Sequence, residues 1–191
     1  MADTKPSFSL KSLDGDTHAF TGDRPHLMVF VKEDCETCNT AAPVVEAFHK
    51  AYGDRLRVLM VGQSGVDNAA LKERHGLTLP ILDDATCEVS FDWDIEIVPS
   101  VFWMDDDGAV QTHFEGFIRE EWEKLSADLA QRLDLPQAQI DWESLPAWRP
   151  GCGSKHLYPE IYDKLRASAA GSEMLARRIE IAPADDVIEF M

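Results

Sequence analysis

The sequence predicts an α/β fold: a central mixed β-sheet flanked by helices, with an N-terminal β-hairpin and a helical and irregular C-terminal extension. Two observations predict the sheet and its helices. Short apolar runs alternate with amphipathic stretches of helical spacing, and Asp–Gly pairs mark tight turns. A third observation sets the division of the chain. The composition changes near residue 136, which separates a domain of residues 1–135 from an extension of residues 136–191.

The first half of the domain is predicted to contain a hairpin, a strand, a helix and a second strand. The hairpin turns at Asp14-Gly15. The run 26–32 is short and apolar, which is typical of a buried strand, whereas residues 37–52 carry apolar side chains at three- and four-residue spacing. Residues 56–61 form the next apolar run. A strand, a helix and a strand in this order predict a right-handed crossover and a parallel pair.

The second half of the domain is predicted to contain three helices and a strand hairpin. The helices are expected at about 66–75, 84–92 and 119–133. The hairpin joins a strand at 97–104, which has a proline near its start, to residues 109–114 through a turn at Asp107-Gly108.

The extension begins with residues 134–153, which contain three prolines, two glycines and two tryptophans without a clear period. We expect an extended segment that packs against something through its tryptophans. A helix is expected from Tyr158 to Ala169. The last residues, Asp185 to Met191, have the pattern of the opening turns of a helix, which suggests the hypothesis that the chain is part of a longer product.

The charge and the apolar pattern exclude several classes of partner. A formal net charge of −17 argues against nucleic acid and against anionic membranes, since both need clustered cations. No apolar run has the length of a membrane span, and Met1 to Lys5 lack the apolar region of a signal peptide. We therefore expect a cytoplasmic protein.

Two cysteines in a C-x-x-C pattern, Cys35 and Cys38, lie where the apolar strand passes into the helix. Cysteines at this spacing can reach disulfide geometry with little change of the backbone. The free N–H groups and the positive dipole end of a helix favour a thiolate at its start. The pattern therefore favours thiol–disulfide exchange.

The order of these motifs resembles the thioredoxin superfamily, and most of all its TlpA/ResA-like (redoxin) branch. Pro43 follows the second cysteine by five residues, where thioredoxins carry a helix-bending proline, and Val98-Pro99 is similar to the family's cis-proline dipeptide. The resemblance covers about residues 7–133. Two features depart from thioredoxins: Asp34 stands where Trp is usual, and the strand below the pair lacks an acidic residue.

The resemblance implies a role for each residue of the motif. Cys35 would be the exposed nucleophile, Cys38 the more buried resolving thiol, and the backbone of Val98 and Pro99 would bind an extended substrate. The structural alternative for Pro99 is an ordinary edge-strand proline. The resemblance also implies a protein or small-molecule disulfide as substrate, no cofactor, and a separate reductase or thiol pool as electron donor.

The pKa of Cys35 is expected to reflect two opposed influences. The helix terminus lowers it, whereas the acidic neighbours Asp34 and Glu36 raise it by repulsion between like charges. We therefore predict a modest shift and a reducing protein.

The two remaining cysteines allow several interpretations. Cys152 is flanked by glycines, and Lys155 and His156 are expected to lower its pKa. It is either a turn residue without chemistry, an auxiliary redox thiol, or a zinc ligand together with the pair and His156. Cys87 is either a structural thiol or an auxiliary redox partner.

Two other functions compete with the oxidoreductase hypothesis. One is a binding or adaptor module in which the pair serves as a redox sensor, and the other is a metal-holding protein. A peroxidase is disfavoured, because the residues before Cys35 lack the proline and hydroxyl residue that normally accompany a peroxidatic cysteine.

Overall fold

The computed structural model describes residues 5–168. Strands and helices are interspersed along this part of the chain. The strands are β1 (Ser9–Lys11), β2 (Thr17–Ala19), β3 (His26–Val31), β4 (Arg57–Gly62), β5 (Ile81–Asp83), β6 (Ile97–Val98), β7 (Ser100–Met104), β8 (Val110–Glu115), β9 (Phe117–Ile118), β10 (Trp148–Arg149) and β11 (Cys152–Gly153). The helices are α1 (Glu36–Tyr52), α2 (Asn68–His75), α3 (Glu88–Asp92), α4 (Arg119–Leu133) and α5 (Pro159–Ala167).

A five-stranded mixed sheet in the order β5-β4-β3-β7-β8 forms the centre of the fold. Strands β3, β4 and β5 are parallel neighbours, whereas β7 runs antiparallel to β3 and β8 runs antiparallel to β7. The predicted parallel pair is β3 with β4, and the hairpin predicted at Asp107-Gly108 is β7 with β8. The predicted thioredoxin fold is confirmed.

The core lies on both faces of strand β3, since all six of its residues are buried. Helix α1 places Phe48 against one face, where its ring stacks on Trp122 of helix α4. On the other face Phe30 meets Trp93 and Phe102. A buried strand between two layers explains why this run is continuously apolar and does not alternate.

Helix α3 is shorter than predicted, because residues 84–87 form a turn. Cys87 adopts a left-handed backbone with φ 59°. The buried Asp84 carboxylate accepts hydrogen bonds from the N–H groups of Val89 and Ser90 at 3.1 and 2.8 Å. This carboxylate satisfies N–H groups of the first helical turn from outside the helix, so the helix begins only at Glu88.

The strand predicted at 97–104 is divided at Pro99 into β6 and β7, which belong to different sheets. Strand β6 pairs with β11 and β9 pairs with β10, so the extension is joined to the domain by backbone hydrogen bonds. Helix α5 begins at Pro159, close to the predicted Tyr158, and ends at Ala167. The helical turns predicted at Asp185 to Met191 lie outside the described residues.

Candidate active site

Cys35 and Cys38 occupy the start of helix α1, directly beyond the end of strand β3. Cys35 is the N-cap residue, with an extended backbone, and its Sγ accepts a hydrogen bond from the Cys38 N–H at 3.4 Å. The Cys38 Sγ in turn accepts from the N–H of Lys32 at 3.4 Å. Both sulfurs are thus held by backbone donors at the positive end of a 17-residue helix.

Both thiols of the pair are fully buried, with 0% of each residue accessible to solvent. The expectation of an exposed Cys35 is therefore wrong. The extension contributes to this environment, because its strand β11 pairs with β6 and places Cys152 opposite Val98, whose carbonyl oxygen lies 3.7 Å from the Cys35 Sγ. The resemblance ends near residue 133, so it could not predict that residues of the extension lie beside Cys35.

The two thiols differ strongly in acidity. A hydrogen bond from the Cys38 side chain, opposed by burial and assisted by hydrogen bonds from Cys152 and the backbone, lowers the pKa of Cys35 to about 6. Burial, followed by the neighbouring Cys35, raises the pKa of Cys38 well above its usual value. One sulfur is thus a thiolate at neutral pH while the other holds its proton, an asymmetry that suits a nucleophile and a resolving thiol.

The acidic neighbours do not act on Cys35 as expected. The Glu36 carboxylate is exposed and pairs with Arg149 at 2.9 Å, and Asp34 pairs with Lys32 at 3.7 Å. Neither is among the main influences on the Cys35 pKa, since burial supplies the opposing effect. The fall to about 6 is also larger than the modest shift predicted, because two thiol donors add to the helix terminus.

The Val98–Pro99 peptide bond is cis, as the resemblance implied. When protonated, the Cys35 thiol donates to the Val98 carbonyl oxygen at 3.7 Å. The Pro99 carbonyl accepts from the Gly116 N–H at 2.8 Å, which fixes the far side of the dipeptide. The predicted substrate-binding backbone therefore does lie against the predicted nucleophile.

Cys152 joins this site, although it is far from the pair in sequence. It lies directly opposite Val98 in the antiparallel pairing of β11 with β6. Burial, followed by its hydrogen bond to Cys35, raises its pKa to about 11. The expected lowering by Lys155 and His156 is wrong: Lys155 reaches Ser64 and Gln63, and His156 is buried, which lowers its own pKa to about 4.

Lys32 is a residue of the site that the sequence analysis missed. Only 6% of it is exposed, and its ammonium group donates to the Gly153 carbonyl and the Tyr158 hydroxyl, each at 3.2 Å. Its charge favours the thiolate form of Cys152. A lysine directly after a buried strand carries no local signal of such contacts, because both partners come from the extension.

The other candidates remain apart from the site. Cys87 packs in a separate cluster with Phe91 and Leu165, and burial raises its pKa to about 12, so it is an inert thiol in this position. His156 directs Nδ1 to the Ser154 hydroxyl at 2.9 Å. Within residues 5–168 no three His, Cys, Asp or Glu side chains are grouped to hold a metal ion, so the zinc ligand set considered for Cys152 is not assembled. The helices of this range also lack any that is both long and apolar enough to cross a membrane.

The thioredoxin fold and the similarity to named thiol–disulfide oxidoreductases define the class of the protein as a thioredoxin-like thiol–disulfide oxidoreductase. More specifically, the chain belongs to the AhpC/TSA family, whose sequence profile matches residues 1–113. This agrees with the predicted relationship to the redoxin branch.

Two relatives from Bacillus subtilis carry names that fit this class. The thioredoxin-like protein YneN is 26% identical over 137 residues, which cover 68% of this chain and 76% of YneN. The thiol-disulfide oxidoreductase YkuV is 30% identical over 101 residues, or 49% of this chain and 68% of YkuV. The crystal structure of StoA, also from Bacillus subtilis, superposes with a TM-score of 0.55 at 20% identity and covers 63% of this chain and 93% of StoA. At that identity the superposition supports the fold alone.

Proposed function

We propose that the protein reduces or exchanges protein disulfides through a dithiol mechanism, with Cys35 as the nucleophile and Cys38 as the resolving thiol. The observation that carries the proposal is the position of the two sulfurs at the start of helix α1, where backbone N–H groups donate to both and Cys35 lies against the cis Val98–Pro99 bond. The lowered pKa of Cys35 and the raised pKa of Cys38 agree with these roles.

The chemistry proceeds in two exchanges. The Cys35 thiolate attacks one sulfur of a substrate disulfide, which forms a mixed disulfide and releases the other sulfur as a thiolate. Cys38 then gives up its proton to that thiolate or to water and attacks the Cys35 sulfur. The second substrate thiol leaves, and the two electrons gained by the substrate have come from the pair, which ends as a Cys35–Cys38 disulfide.

The change in the Cys38 environment drives the second step. While Cys35 is a thiolate, burial together with the hydrogen bond and the charge of Cys35 holds the proton on Cys38. That charge disappears when Cys35 enters the mixed disulfide, so the pKa of Cys38 falls at the moment when its thiolate is needed. A separate reductase or a thiol pool then restores the dithiol.

The test is the reduction of insulin disulfides with dithiothreitol as electron donor. We expect Cys35→Ser to abolish the reduction. In the absence of dithiothreitol, Cys38→Ser combined with Cys152→Ser should accumulate a mixed disulfide between Cys35 and insulin that a reductant releases. Cys87→Ala is the matched control, because this cysteine is remote from the pair, and it keeps the wild-type rate. Wild-type protein without activity would refute the proposal and favour the adaptor hypothesis.

A further inference from the structure

Residues 148–154, which we name the covering segment, lie across the end of the sheet that carries the cis-proline. At one end of the segment β10 pairs with β9. Farther along, Cys152 pairs with Val98, and the Ser154 N–H donates to the Glu96 carbonyl at 2.9 Å. The segment therefore runs antiparallel to residues 96–98 as an added β-strand.

This position is the one that an extended substrate needs under the proposed function. Such a substrate would form strand hydrogen bonds with the Val98 backbone and present its cysteine sulfur to Cys35. The covering segment occupies this position. Cys152 is the direct partner of Val98, whose carbonyl oxygen lies 3.7 Å from the Cys35 Sγ.

Glycines allow the segment to approach so closely. A Cβ at Gly151 would lie 2.1 Å from Ile97 Cγ2 and 2.8 Å from the Val98 carbonyl oxygen. A Cβ at Gly116 would lie 3.2 Å from the Arg149 oxygen and 3.2 Å from the Gly151 nitrogen. By contrast, a Cβ at Gly153 would meet no atom within 4 Å. The close contact between the covering segment and the domain therefore needs glycine at Gly116 in the domain and at Gly151 in the segment.

Polar groups also hold both ends of the segment. Arg149 pairs with Glu36 in the first turn of helix α1, and the Thr37 hydroxyl donates to the Pro150 carbonyl. At the other end the buried Gln63 amide donates to the Ser154 hydroxyl at 2.7 Å. Cys152 therefore lies between two anchored ends of the segment, one at Arg149 and Pro150 and the other at Ser154.

We propose that the covering segment is an intramolecular substrate of the dithiol, in which Cys152 takes the place of a substrate cysteine. This rests on the proposed function of Cys35 and Cys38. In the oxidised protein the Cys152 thiolate attacks the Cys35 sulfur of the Cys35–Cys38 disulfide. A Cys35–Cys152 disulfide forms, Cys38 leaves as a thiolate and takes up the proton that Cys152 has lost, and no net oxidation occurs. An external disulfide reaches Cys35 only after the segment has left this position.

The first experiment traps the exchange in Cys38→Ser. The reduced variant is treated with one equivalent of oxidised glutathione, which supplies the oxidation, and its disulfides are identified by peptide mass mapping. We expect a Cys35–Cys152 disulfide with release of glutathione, whereas Cys38→Ser combined with Cys152→Ser keeps glutathione bound to Cys35. Glutathione retained on Cys35 while Cys152 is present would overturn the proposal.

The second experiment displaces the segment. Gly151→Ala forces it away from Ile97 and Val98, whereas the matched variant Gly153→Ala meets open space. Overpacking by one methyl group should shift the equilibrium between the seated and the displaced covering segment by about tenfold or more. We therefore expect the rates of Cys35 alkylation by iodoacetamide and of insulin reduction to be about tenfold higher in Gly151→Ala than in Gly153→Ala. Equal rates in the two variants, both shown to be folded by circular dichroism, would overturn the proposal. If Gly151→Ala does not fold, the trapping experiment decides.

Failure of the proposed function has a different signature. In that case wild-type protein forms neither a Cys35–Cys38 nor a Cys35–Cys152 disulfide under mild oxidant, and no variant reduces insulin, including Gly151→Ala. Failure of the internal-substrate proposal alone leaves wild-type reduction intact.

Discussion

The hydrogen bond from Cys38 contributes most to the low pKa of Cys35, and it can be removed with little change of the fold. At about 1.4 kcal/mol for each pKa unit, the fall from 9.0 to about 6 corresponds to about 4 kcal/mol in favour of the thiolate. Cys38→Ala removes the side-chain donor, whereas Cys38→Ser keeps a hydroxyl in its place. We expect the alanine variant to raise the Cys35 pKa by at least about one unit and the serine variant to keep it near the wild-type value.

The assay is the ultraviolet absorbance of the thiolate during a pH titration of the reduced protein. Only Cys35 should titrate near pH 6, because burial raises the pKa of Cys87 to about 12 and that of Cys152 to about 11. An unchanged titration in Cys38→Ala would refute the reasoning and assign the acidity to the donors that remain, Cys152 and the backbone N–H groups at the helix start. A rise of equal size in both variants would instead mean that the hydroxyl does not replace the thiol donor.

Three further predictions concern stability and the reactivity of Cys152. Burial lowers the pKa of His26 to about 4 from 6.5, so its contribution to stability is present above pH 6.5 and is lost as the pH falls. Between pH 7 and pH 5 the unfolding free energy from urea denaturation should therefore fall by about 2 kcal/mol more in the wild type than in His26→Gln; equal losses would contradict this. Gly62→Ala would place a Cβ 2.4 Å from the Asn68 amide oxygen, so we expect a loss of roughly 1–3 kcal/mol in unfolding free energy; an unchanged urea midpoint would contradict this. The Lys32 charge lowers the Cys152 pKa and the Asp34 charge raises it. Lys32→Met should therefore slow the alkylation of Cys152, and Asp34→Asn should accelerate it. Changes in the same direction would show that these charges do not control the reactivity of Cys152.

The parts of the fold that local patterns specify could be predicted from the sequence. Strand β3 and helix α1 are recognisable because burial on two faces needs a continuous apolar run, whereas burial on one face needs apolar residues at helical spacing. The Cys35-x-x-Cys38 motif is equally local, so its position at the strand–helix junction was predictable.

Features that depend on contacts between distant residues could not be predicted. Strand β5 is three residues long and exists because it pairs with β4, and the two-residue strands β10 and β11 exist only through their partners. The burial of Cys35 and the altered pKa of Cys152 follow from that same pairing. Glycines on both sides of Cys152 were a usable signal, since they often mark a close approach of two backbones.

The buried Gln63 amide has a consequence for any shortened version of this chain. Its nitrogen donates to Ser90 on the domain side and to Ser154 on the extension side, and its oxygen accepts from the Lys155 N–H. A polypeptide ending at residue 135 would remove two of these three partners and uncover the backbone edge of β6. Such a fragment would therefore lose the hydrogen bonds that fix the Gln63 side chain and would have an open strand edge, which promotes self-association. The composition changes near residue 136, while backbone pairing and the Gln63 side chain connect the residues on its two sides.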